Sequence, residues 1–178
     1  MPHNGSQIPT ALAQRMPPYA QRSPDTDWYL DQLYDFAIDL KCSVINPIYS
    51  RYVIDLNRDF QGSILGADNT ELCPTSCFDY RPIYLEGEEP TQAEIQERIS
   101  LYWVPYHQQV KAELQRIKAK HGVVILYDAH SIRSHVPRFF EGQLPDLNLG
   151  TVDGQSCSRE MEKALVRVAQ SADNYTWV

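Results

Sequence analysis

Val123-Val124-Ile125-Leu126-Tyr127-Asp128-Ala129-His130-Ser131 is the stretch on which the fold is read. Five apolar residues, three of them β-branched, end abruptly at an acid, a small residue and an imidazole. Such a run predicts a fully buried strand at the centre of an α/β sheet. Open α/β sheets bind ligands beyond the carboxyl ends of their strands, so His130 is expected at a site-forming edge. A histidine that merely caps a loop is the bland alternative.

Upstream, Thr91-Gln92-Ala93-Glu94 is a capping box, and a helix is expected from there to Gly122. Ile95, Ile99, Tyr102, Trp103, Tyr106, Val110, Leu114 and Ile117 form its apolar stripe, and Pro105 should kink or divide it. Five prolines before residue 25 discourage long elements. Pro24-Asp25-Thr26-Asp27 is read as a helix opening, with Trp28, Leu33, Phe36, Ala37 and Leu40 as the core face. Strands are expected near Cys42–Ile45 and Tyr52–Leu56, then a long irregular excursion from Asp59 to Glu89. A loop over residues 132–157, a helix from Ser158 to Ala172 and a strand beginning at Tyr175 complete the order. Helices and strands in this succession predict a three-layer αβα sandwich with a mixed central sheet.

At 178 residues the chain suits one domain, 1–178, with a substantial core. Its net charge of −7 argues against nucleic acid as a partner, because neutralising phosphates takes clustered lysine and arginine. No apolar run approaches the roughly 20 residues of a membrane helix, and no signal peptide is visible, so the default expectation is cytoplasmic. Cys42, Cys73, Cys77 and Cys157 lack the paired spacing of a structural zinc site and are expected to be reduced thiols.

Two groups of residues carry chemistry. His3, an acid near residue 25 and His130 match the two-imidazole, one-carboxylate ligation of catalytic zinc, which leaves a position for water. Asp27 is favoured as the acid, with Asp25 as the helix cap, although capping alone accounts for either. Asn4-Gly5 suggests a tight turn that holds the His3 ring. The second group is cationic. Arg51 and Arg58 bracket the strand at Tyr52–Leu56, Asn57 stands beside Arg58, and Arg133 and Arg138 follow His130. Guanidinium forks beside a metal favour a small anionic substrate. Ion pairing with Asp55, Asp59 or Asp128 is the bland alternative for any one arginine.

These segments together resemble the N-formylglutamate amidohydrolase family. The likeness is carried by Pro2-His3-Asn4-Gly5, Asp25-Thr26-Asp27-Trp28, Ser50-Arg51 through Asn57-Arg58, Leu72-Cys73-Pro74, Tyr127 through Ser134, Pro137 through Phe140 and Gly142 through Gly150. The resemblance implies a fold like zinc carboxypeptidases and aspartoacylases, and hydrolysis of N-formyl-L-glutamate to formate and glutamate in histidine degradation. It also implies Zn2+ on His3, Asp27 and His130, and carboxylate binding by Asn57 and Arg58. Arg51, Arg133 and Arg138 become candidates for the second carboxylate. Against the family pattern, a first strand and a C-terminal part with the general-base glutamate are expected to lie outside this sequence, and Glu141 does not match that glutamate. Amidohydrolysis of another N-acyl acidic amino acid, or a non-catalytic binding fragment, are the competing readings. Oligomeric state is left open.

Overall fold

A computed structural model describes residues 1–60 and 71–178. The excursion expected from Asp59 to Glu89 therefore falls partly outside the described residues. The chain divides into two compact units, Met1–Ile132 and Arg133–Val178.

The first unit is built around a buried segment that belongs to no helix. Arg51 through Leu56 are six consecutive buried residues. Tyr52 and Val53 pack with Leu12, Met16, Ala20, Cys77, Ile83 and Tyr84. Ile54 and Leu56 pack instead with Cys73 and Ile99. The segment thus joins two apolar clusters. Its backbone polar groups are satisfied singly: Asp55 donates its N–H to the Leu72 carbonyl at 2.7 Å, and the Val53 carbonyl accepts from Arg98 Nη1 at 2.9 Å. Arg98 can be buried there because Glu94 meets its other nitrogen at 2.5 Å, within reach of one helical turn.

Short helices surround this segment. Prolines confine α1 to Thr10–Ala13 and leave a single tight turn at Ala20–Arg22. Two four-residue helices follow, α2 at Leu30–Leu33 and α3 at Phe36–Asp39. The N-cap half of the expected capping box forms: Thr91 Oγ1 accepts from the Glu94 N–H and opens α4, Gln92–Arg98, while the Glu94 carboxylate turns to Arg15 and Arg98. A wider π turn, Ile99–Trp103, hands over to α5, Val104–His121. Pro105 sits in the first turn of α5, where its missing N–H costs least, so the proline divides the helix as expected. Gly122, in the left-handed conformation at φ 78°, ends α5.

The second unit is organised by α6, Arg159–Gln170, with Ser158 Oγ capping the Met161 N–H. Leu147 and Trp177 form a parallel bridge, backed by the Asp146 carboxylate accepting from the Thr176 hydroxyl at 2.7 Å.

The three-layer αβα sandwich with a mixed central sheet is not what the chain forms. Among the described residues, extended pairing is confined to isolated bridges at Gln7–Tyr49, Ser76–Pro82 and Leu147–Trp177. The apolar part of the deciding run is unpaired and mostly exposed: Val123, Ile125, Leu126 and Tyr127 are 67%, 64%, 63% and 62% exposed, and Val124 is half-buried. Apolar composition predicted burial on both faces, and packing supplies neither. The strand expected at Tyr52–Leu56 is buried but turns rather than pairs, and Cys42–Ile45 carries no ladder. The helix expected from Asp25 is also corrected. Asp25 and Asp27 lie in a loop, Leu30 is the buried residue of α2, and Leu33, Phe36 and Leu40 face solvent.

One glycine is required by close approach. A Cβ on Gly5 would lie 2.3 Å from the Tyr49 carbonyl oxygen, where Gln7 and Tyr49 bring two backbones together. Neither backbone can yield without breaking that bridge. Gly5→Ala is therefore expected to cost on the order of 1–3 kcal/mol. For a chain this size that lowers the melting temperature by about 2–4 °C per kcal/mol. Gly150→Ala, where a Cβ meets nothing within 4 Å, should melt like the parent. Equal melting of both variants would disprove the clash.

Candidate metal centre

Three segments distant in sequence deliver the candidate site. His3 is fixed by its backbone, because its carbonyl accepts the Asp27 N–H at 3.0 Å and Gly5 O accepts from the Thr26 hydroxyl. The same contacts fix the Asp27 loop. His130 follows the exposed run and is held by its own neighbour, as Ser131 donates its hydroxyl to Trp28 O and its N–H to Asp27 Oδ2.

Asp25 and Asp27 are separated by where their carboxylates go. Asp25 accepts the Tyr52 hydroxyl at 2.5 Å and the Phe78 N–H at 2.8 Å, so its side chain is committed to the core and caps no helix. Asp27 faces the imidazoles. One ligand atom each from His3, Asp27 and His130 lie within 4.8 Å of one another. The imidazole rings stand 5.1 Å apart, tilted by 48°. Asp27 Oδ1 is 3.9 Å from His3 Nδ1, and Asp27 Oδ2 is 2.8 Å from His130 Nδ1. His3 and Asp27 are buried while His130 is exposed, so the cluster opens to solvent on one side.

Each imidazole has a second carboxylate behind it. His3 Nε2 donates to Asp55 Oδ1 at 2.7 Å. Burial opposes charge on Asp55, yet the His3 hydrogen bond and the Arg51 guanidinium hold its carboxyl well below the ordinary range. Burial also pushes the His3 pKa down, so the ring is neutral. A neutral ring that donates from Nε2 keeps its lone pair on Nδ1, the nitrogen facing Asp27. His130 is the opposite case. Burial disfavours its charge, but Asp128, 3.2 Å from Nε2, and Asp27 together raise its pKa to about 9. A divalent cation entering the cluster meets a free lone pair at His3 and a proton at His130. Two imidazoles, each backed by a carboxylate, with a third carboxylate between them form a donor set that fits zinc.

The residues expected to bind anions are distributed unevenly. Arg51 is buried, with Nη2 2.6 Å from Asp55 Oδ2 and its guanidinium over the Phe78 ring. That is the ion pair offered as its bland alternative. Asn57 comes to the cluster, its amide nitrogen 3.2 Å from His130 Nε2, and Arg58 follows with Nη1 donating to Asn57 O. Arg133 and Arg138 belong to the second unit. Asp55 and Asp128 were read from sequence only as partners for arginine, and their place behind the imidazoles was missed. Asp128-Ala129-His130 did carry a signal, since residues two apart on an unwound backbone share a side. Nothing local joins Asp55 to His3, 52 positions away.

Because the His130 pKa is raised, its ion pairs stabilise the metal-free fold fully below about pH 6.5 and less as pH rises through about 9. Titrating metal-free protein by NMR should give a His130 midpoint near 9, and Asp128→Asn should bring it down toward 6.5. An unmoved midpoint would remove Asp128 as the cause.

Comparison with known proteins adds an independent line. The family model of N-formylglutamate amidohydrolase matches residues 1–178. An N-formylglutamate deformylase of Pseudomonas aeruginosa is 43% identical over all of this chain, which spans 67% of that protein. The N-formylglutamate deformylase of Pseudomonas putida is 42% identical over the same shares. In fold, the crystal structure of N-formylglutamate amidohydrolase from Ralstonia eutropha JMP134 superimposes with a TM-score of 0.81 at 24% identity, covering 99% of this chain and 68% of that one. With its whole length matched by the family model and more than two fifths of its residues shared with curated relatives, the chain belongs to the N-formylglutamate amidohydrolase family.

Proposed function

We propose that the chain carries the site of a zinc-dependent hydrolase that converts N-formyl-L-glutamate and water to formate and L-glutamate. The observation behind this reading is the convergence of His3, Asp27 and His130 beside Asn57 and Arg58. The names of the relatives supply the substrate. In this reading the reaction serves histidine degradation.

Bound zinc would polarise the formyl carbonyl and lower the pKa of water to roughly 7. The chain's own residues hold the metal and orient the substrate. Asp55 holds His3 in the tautomer that presents Nδ1, and Asp27 contributes a carboxylate oxygen from a loop tied to the His3 backbone. Asn57 and Arg58 receive one substrate carboxylate, a planar fork being suited to a planar anion. The buried Arg51 acts indirectly, by keeping Asp55 ionised. In the reaction the formyl C–N bond breaks, water supplies hydroxide to the formyl carbon, and a proton goes to the departing amine.

Purified protein supplied with zinc should release formate from N-formyl-L-glutamate, and chelation should stop it. His3→Ala and His130→Ala should each abolish turnover, and activity equal to the parent in either variant refutes the assignment. Asp55→Asn should weaken zinc binding about 10- to 100-fold, the usual cost of losing a carboxylate behind a metal-bound imidazole. N-acetylglutamate and N-formylaspartate should be poor substrates. A preference for either one moves the assignment to another N-acyl acidic amino acid.

A further inference from the structure

Trp103 and His107 stand four residues apart where the π turn passes into α5, and their rings stack with centroids 3.8 Å apart at 29°. Neither touches the metal cluster. Both use a ring N–H on the same short stretch of backbone. Trp103 Nε1 donates to Arg58 O at 2.8 Å, and His107 Nε2 lies 2.9 Å from Leu56 O. A carbonyl only accepts, so His107 is the donor there. Burial lowers the His107 pKa, which agrees with a neutral ring protonated at Nε2. The two carbonyls bracket Asn57.

From the opposite side the same stretch is held by Asp55, whose Oδ1 accepts the Asn57 N–H at 2.9 Å and whose carbonyl accepts the Arg58 N–H at 3.3 Å. Phe60 closes edge-on against Trp103 at 4.7 Å. The peptide unit before Asn57 is therefore held between the Asp55 carboxylate and His107, and Arg58 between the Asp55 carbonyl on its N–H and Trp103 on its carbonyl. This matters because Asn57 and Arg58 are not buried as the preceding six residues are.

We infer that Trp103 and His107 are positioning residues for anion recognition: they aim Asn57 and Arg58 at a substrate carboxylate without contacting it. The inference rests on the proposed hydrolase function for its ligand, but not for its geometry. The π turn gives a reason for the pair's alignment. The wider turn and Pro105 set the phase at which α5 begins, and one-turn spacing then puts residues 103 and 107 on a common face.

The test uses Trp103→Phe, His107→Phe and His107→Gln in the full chain. The first two keep a ring but lose the N–H, while glutamine keeps a donor. Losing one neutral hydrogen bond corresponds to about 3- to 10-fold in an equilibrium. Affinity for N-formyl-L-glutamate should fall by about that factor in both phenylalanine variants and recover in His107→Gln, with zinc affinity unchanged. Hydrogen exchange at the Asn57 and Arg58 amides should quicken in the phenylalanine variants and not in His107→Gln. Exchange at those amides unchanged from the parent overturns the inference, as does a parallel loss of zinc, ligand and melting temperature. Should the parent bind no N-formyl-L-glutamate, the anion role falls together with the proposed function, and the exchange data still decide whether the clamp exists.

Discussion

Everything near the site depends on one buried carboxylate. Asp55 is completely shielded from solvent, and an ion in that position persists only with hydrogen-bond partners on both oxygens. It has them: His3 Nε2 and the Asn57 N–H on one oxygen, Arg51 on the other. Removing one partner from such a group typically costs about 3–5 kcal/mol, so the set stands or falls together. The N-terminal segment, the buried Arg51–Leu56 core and the Asn57–Arg58 edge are joined through this acid rather than through a sheet.

The site was more legible in the sequence than the fold. His3 and His130 are 127 positions apart, and only the chemistry of ligands, together with the family likeness, linked them; the structure brings them to adjacent rings. The N-cap at Thr91, the stop at Gly122 and the division at Pro105 were also readable, because each depends on local backbone chemistry. Asp25 shows the limit of local reading. Its position before an amphipathic stretch suggested a cap, but Tyr52 and Phe78 claim its carboxylate from 27 and 53 residues away.

The sheet failed for a different reason. Apolarity reports what a segment gains if covered, and says nothing of what is available to cover it. Val123–Tyr127 has the composition of a central strand and the exposure of a surface. Tyr52–Leu56 has the burial of a strand with the hydrogen bonding of turns, its polar groups met by Arg98 and Leu72. Ladder pairing is a non-local property, and alternation or apolar runs predict it only where a neighbouring strand exists.

Asp55 also fixes a distance. Because its two oxygens reach His3, Asn57 and Arg51 at once, the imidazole edge and the carboxylate-binding edge cannot move independently. Trp103 and His107 hold the second edge from behind, so Asn57 is restrained on both faces of its backbone. In the proposed enzyme, the span from a scissile carbonyl to a substrate carboxylate is then measured by the protein rather than by a mobile side chain. A substrate one methylene shorter or longer would have to forgo one edge to reach the other. Length discrimination of that kind follows from rigidity between two recognition points, and the buried acid is the group that provides it.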